Sequence, residues 1–314
     1  MTVLKVKNIK KGNYSKIDSW SENIGISKGI SIDGKLAQSD IDKATQVIAA
    51  NLLKIQKEYL VLTDNIFVVG SSGVAMASNT DDLIDAVYLA TNKKLVFINA
   101  ATEGEMLLKG SVPPRKYRAS VVLDIGGGNT KGGYSDSTKN KAFAFSPLSL
   151  NYGTVTLTEL ILKQTKNESV EEFIDKSDAY VPTLREQIQV MFAADPIALE
   201  KENIYLSGGA IWAFYSLTNG ASTNVFSSFT IDELRKYDEV LKTNFQKFET
   251  LAKTDKEAAK VLKTYSQKYL ISASTILLTT IQSIPNIDNK KLFFAKEGQI
   301  AWLVSYVADR AQKK

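Results

Sequence analysis

The chain has 314 residues, 44% hydrophobic, 23% charged and 9% aromatic, with a formal net charge of +5 at pH 7. This is a globular composition with length for two domains, which excludes disordered, collagenous and low-complexity classes. Cysteine and histidine are both absent, which excludes disulfides, thiolate nucleophiles, iron–sulfur clusters and every Ser-His-Asp triad, and removes the commonest zinc ligand. Hydrolytic chemistry here would rest on carboxylates, lysines, hydroxyls, backbone N–H groups or an oxygen-ligated metal such as Mg2+. A modest basic excess spread along the chain fits anionic ligands, and no nucleic-acid partner is expected.

The first seven residues alternate like a strand, with no signal-peptide pattern. Residues 40–58 carry apolar side chains at helical spacing, with Asp40 in the cap region. A buried strand over 65–70 leads into a Ser71-Ser72-Gly73 turn, followed by a capped amphipathic helix over 79–92, a strand over 95–99 and a helix from Glu103 to Lys109. Residues 111–118 hold Pro113, Pro114 and three cations, and read as the boundary between lobes 1–117 and 118–314. A buried strand follows at 120–125, then a hairpin partner from Tyr134 onward, a strand over 142–145, another over 203–206, and mostly helix from Ile231. The apolar run 270–284 is too short to span a bilayer, contains Ser and Thr, and ends at Pro285, so it reads as a buried helix. No membrane association and a cytoplasmic location are expected. The lysine-rich stretches 5–16 and 290–296 read as solvated surface.

Three segments can carry chemistry. In VVLDIGGGNTKGGY, residues 121–134, a buried strand brings Asp124 to its tip ahead of Gly126, Gly127 and Gly128. Glycines let backbone N–H groups approach phosphate oxygens without Cβ clashes. Asp124 at such a tip can hold Mg2+ beside them. A plain hairpin turn is the simpler alternative, but it needs only one or two glycines. Ser207-Gly208-Gly209 is a strand-to-helix turn whose N–H groups can hold an anion, although such turns are common. Glu103 and Glu105 open a helix, where the dipole alone favours acids; the functional reading is a general base that orients water toward phosphorus.

The order of these segments resembles the exopolyphosphatase/guanosine pentaphosphate phosphohydrolase family of the actin-like ATPase superfamily. Ile24-Gly25 with Gly34 is similar to an early "LG…G.L" segment, and residues 69–79, VGSSGVAMASN, to "ATSA.R.A.N". Residues 98–110 are similar to "ISG.EEA", 124–130 to "DIGGGST", 149–157 to "SLPLG..RL", 207–209 to "GTGGT" and 293–298 to "LR.G". The resemblance implies an α/β, actin-like (ribonuclease H-like) two-lobe fold with a central cleft. That cleft would take polyphosphate or a nucleotide phosphate chain. By the same resemblance Glu103 is the catalytic base and Mg2+ is the cofactor, held near Asp124. Gly126, Gly127, Gly128, Asn129 and Thr130 match a phosphate loop, with Ser71, Ser72, Ser207, Gly208 and Gly209 as further phosphate contacts; Lys131, which departs from the pattern, reads as an added phosphate contact.

Three departures accompany it. The family's opening strand and "DIGSNS" loop have no counterpart, so the chain reads as beginning just after them. The arginine of "ATSA.R" is Ala75, and the acidic residue after "GGGST" is Lys131. Each touches phosphate or metal handling. They motivate a second reading, a catalytically impaired phosphate- or nucleotide-binding protein. A third is an actin-like small-molecule kinase with ATP near residues 207–210. A sheet edge left unpaired by a missing strand also admits a homodimer in which a neighbour's strand covers it.

Overall fold

The alternation expected at the start of the chain becomes a hairpin of β1 (Thr2–Lys10) and β2 (Asn13–Ser21). The computed structural model describes all residues except 11, 12, 23, 27, 28, 137–143, 168, 221–225 and 312–314. After the hairpin come α1 (Ile30–Asp33), α2 (Gln38–Tyr59), β3 (Val68–Gly70), α3 (Thr80–Thr91), β4 (Leu95–Phe97) and α4 (Ala100–Ser111). The second part runs β5 (Ser120–Ile125), β6 (Thr130–Ser135), β7 (Phe145–Leu150), α5 (Thr154–Leu162), α6 (Val170–Ala193), α7 (Ile197–Glu200), β8 (Asn203–Gly208) and α8 (Gly209–Asn219). It ends with β9 (Phe226–Phe229), α9 (Ile231–Thr243), α10 (Gln246–Leu251), α11 (Lys256–Thr264), α12 (Gln267–Gln282), β10 (Lys291–Ala295) and α13 (Gly298–Ala311).

Six strands form one mixed sheet in the order β7-β6-β5-β8-β10-β9. β5, β8 and β10 are mutually parallel, while β6, β7 and β9 run antiparallel to their neighbours. Every residue of β5 and of β8 is buried, as expected of central strands covered by helices on both faces. Alternation along β5 sorts its side chains by face. Val121, Leu123 and Ile125 join the main core with Phe214, Leu270 and Ile276, whereas Val122 packs on the other face with Leu107 and Leu108 of α4. Asp124 has the parity of Val122, so the pleat directs it to the α4 side. The apolar run 270–284 supplies α12, whose residues Leu270 to Leu277 are all buried.

The first part of the chain is built differently. β3 and β4 pair in parallel, β1 and β2 pair antiparallel, and the two pairs do not join. A small core of Ile41, Ala44, Leu83, Val87 and Leu95 lies under α2 and α3. β1 and β3 line the same cavity of about 850 Å3, which continues to Glu103, Asp124 and Lys131. α13 packs against α4 and also touches both strands of the hairpin, and Lys16 forms an ion pair with Glu297 at 3.1 Å just ahead of it.

Several elements differ from expectation. The strand over 65–70 is shortened to β3, because residues 63–65 form a 3-10 turn. β2 was not foreseen: its sequence NYSKIDSWS presents no continuous apolar face. Residues 142 and 143 lie outside the described residues, and Phe145 opens β7. Among the described residues no helix is long and apolar enough to cross a membrane.

Candidate active site

The site is set by one hairpin register. β6 begins at Thr130, four residues earlier than expected, and its pairing with β5 places Lys131 directly opposite Asp124. Opposed residues of an antiparallel pair project to the same face, so the ammonium meets the carboxylate: Lys131 Nζ lies 2.5 Å from Asp124 Oδ2. The same nitrogen lies 3.3 Å from Glu103 Oε1.

Glu103 arrives on α4. Asn99 caps that helix, its side chain accepting from the Thr102 N–H at 2.8 Å, which satisfies one of the orphan donors of the first turn. The next residue, Gly104, lets α4 approach the sheet: a Cβ there would sit 2.6 Å from the Gly132 carbonyl oxygen. Glu103–Gly104 therefore lies against Lys131–Gly132, and Glu103 is only 1% exposed. Its second oxygen accepts from the Ser72 N–H at 2.8 Å. A Gly104→Ala substitution is expected to force α4 off β6, destabilising the protein by about 1–3 kcal/mol through overpacking and lowering activity; thermal melts and turnover measured on one preparation check both.

Asp124, Lys131 and Glu103 are all buried. Burial alone lowers the Lys131 pKa, but the carboxylates of Asp124 and Glu103 outweigh it and hold the ammonium well above the ordinary lysine value. Tyr265 borders the same cavity beside Gly208 and Gly209, and its phenol is pushed up by burial and by the nearby Asp124 charge. No sequence motif pointed to Tyr265.

The glycine loop is anchored from behind. The N–H of Thr154 donates to the Gly126 carbonyl at 2.8 Å, that of Val155 to Gly127 at 2.9 Å, and the Thr156 hydroxyl to Gly128 at 3.1 Å. These carbonyls face the start of α5. In planar trans peptides the following N–H groups, of Gly127, Gly128 and Asn129, consequently point the other way. N–H groups directed away from the helix that anchors the loop are suited to hold an anion, and of these residues Gly127 lines the cavity.

Asn129 Nδ2 donates to the Ser72 hydroxyl at 3.1 Å, while its buried Oδ1 has no hydrogen-bond partner among the described residues. The Thr130 hydroxyl is committed elsewhere, donating to the Tyr152 carbonyl at 2.8 Å. Ser207 is fully buried, and among the described residues its hydroxyl has no hydrogen-bond partner. Gly208 has φ +97°, and a Cβ there would meet Asp124 Oδ1 at 2.5 Å, so this position needs glycine for both backbone and space. Ser71, Gly126, Gly127, Gly208 and Gly209 line the cavity together with the carboxylates.

The residues present do not fit Mg2+. That ion takes a near-octahedral oxygen shell at roughly 2.0–2.1 Å, yet Asp124 Oδ2 has an ammonium nitrogen at 2.5 Å and Glu103 is turned to the same ammonium and to Ser72. Among the described residues no three Asp or Glu side chains are grouped so that they could hold a metal ion.

A mixed sheet in this order, with a glycine hairpin at its centre, belongs to the actin-like class, and solved structures with that architecture overlay on it. An exopolyphosphatase-like protein overlays with a TM-score of 0.77 at 13% identity, covering 97% of this chain and 93% of that one. An exopolyphosphatase from Cytophaga hutchinsonii gives 0.71 at 15% identity, covering 98% and 94%. The Aquifex aeolicus PPX-GPPA enzyme gives 0.66 at 18%, covering 96% and 94%. No curated protein matches the sequence. The model of the Ppx/GppA phosphatase family matches residues 5–285, and the chain belongs to that family.

Proposed function

We propose that the chain hydrolyses the terminal phosphoanhydride bond of a linear phosphate chain, inorganic polyphosphate or guanosine pentaphosphate, in the cavity beside Glu103. The observation that carries this reading is the juxtaposition of a buried carboxylate, Glu103, with the Lys131 ammonium beneath a glycine loop. The outward N–H groups of Gly127, Gly128 and Asn129 would hold the terminal phosphoryl oxygens. Glu103 would orient a water and take its proton as the water oxygen bonds to phosphorus. The bond from phosphorus to the bridging oxygen then breaks, releasing orthophosphate and a chain shorter by one unit. A phosphate leaving group departs as an anion and needs no acid. No step is assigned to Mg2+.

A second reading, phosphate-chain binding without turnover, is favoured by one observation: both oxygens of Glu103 already have protein partners, Ser72 N–H and Lys131 Nζ. Orthophosphate assays with each substrate separate the two. Many orthophosphates per protein molecule support hydrolysis; saturable binding with no release supports the second reading. A homodimer that covers the edges of β1 and β3 would appear as a doubled mass in solution.

A further inference from the structure

Lys131 is a strand residue, paired in register with Asp124 on one side and with Ser149 on the other. Its main chain is fixed by two neighbouring strands, and its side chain is buried. The ammonium sits under the glycine loop as well as between the carboxylates: a Cβ added at Gly126 would lie 3.1 Å from Lys131 Nζ. With Asp124 Oδ2 at 2.5 Å and Glu103 Oε1 at 3.3 Å, one nitrogen faces both acids and the loop. A doubly charged cation placed between Asp124 Oδ2 and Glu103 Oε1 would overlap this nitrogen and be repelled by it. Buried carboxylates require compensation, and in this chain the compensation is covalently attached.

We infer that Lys131 is a resident cation: its ammonium occupies the place between Asp124 and Glu103 where an exchangeable divalent ion would otherwise sit, so a phosphate chain binds here without a metal bridging it to these carboxylates. The inference rests on the phosphate reading of the same site. It implies that cation identity is written into one side chain, and that Lys131→Glu converts the site into a divalent-cation site by placing three carboxylates together.

The test uses the full chain with two probes. Manganese uptake is counted from the loss of the free Mn2+ electron-spin-resonance signal, and tripolyphosphate binding is measured by equilibrium dialysis with Mg2+ or with EDTA. The wild type is expected to take up no stoichiometric Mn2+ and to bind tripolyphosphate equally in both buffers. Lys131→Glu is expected to gain one Mn2+ per chain, bound at least about tenfold more tightly than by the wild type, a difference of about 1.4 kcal/mol. Its melting temperature should also rise with added Mn2+. One tightly bound Mn2+ in the wild type, or tripolyphosphate binding lost in EDTA, would overturn the inference. Should Lys131→Glu fail to fold, the wild-type manganese count decides alone. If tripolyphosphate binds under no condition, the phosphate reading fails, and the manganese counts still decide the cation.

Discussion

A Glu103→Gln protein is expected to lose about 10²- to 10⁴-fold in orthophosphate release, the range a positioned general base contributes, while still binding the phosphate chain. The amide keeps the shape of the carboxylate and the contact with the Ser72 N–H, so the fold should persist. What it loses is the capacity to accept a proton from water and the negative charge facing Lys131. Loss of turnover with retained tripolyphosphate binding and an unshifted circular-dichroism spectrum fits the proposed role. Turnover within about threefold of wild type removes Glu103 from the chemistry.

The second large effect is on stability. Lys131→Met keeps the length of the stem and deletes the charge, leaving Asp124 and Glu103 buried and uncompensated. Removing one partner from a buried ion pair typically costs about 3–5 kcal/mol, which chemical denaturation would read as a shifted midpoint at unchanged slope. Pairing Lys131→Met with Asp124→Asn should recover part of that loss, and the double-mutant cycle measures the coupling. The pH dependence has a definite sign. The folded-state pKa of Lys131 is raised above its ordinary value of 10.5, so its contribution is fully present below that value and is lost as pH rises through the folded one. The difference that this ammonium makes between wild type and variant should therefore stay flat from neutrality up toward the ordinary lysine range and shrink only in strong alkali.

The sequence made the loop legible because strand, acid and three glycines are a local pattern: residues 121–128 read directly as β5 and its turn. Glu103 was legible only through the resemblance, since an acid at a helix start has an ordinary dipole explanation. Its burial against Lys131 depends on the long-range approach of Gly104 to Gly132, which no local pattern encodes. Lys131 was readable as a departure in charge. Its position opposite Asp124 was not, because the hairpin partner was expected from Tyr134, whereas pairing of Ile125 with Thr130 starts the strand earlier. Tyr265, which leads into α12, reaches the site only through tertiary packing of the helices around α8. The separation of β1–β2 from β3–β4 around a shared cavity is likewise a property of the folded whole.

The measurement closest to the central claim is solvent-oxygen incorporation. Polyphosphate is turned over by the wild-type chain in water enriched in oxygen-18, and the orthophosphate is analysed by mass spectrometry. Attack of a Glu103-oriented water on the terminal phosphorus should put one solvent oxygen into each orthophosphate released. Orthophosphate carrying no solvent oxygen, or phosphoryl groups appearing only on an added acceptor, would contradict hydrolysis at this site.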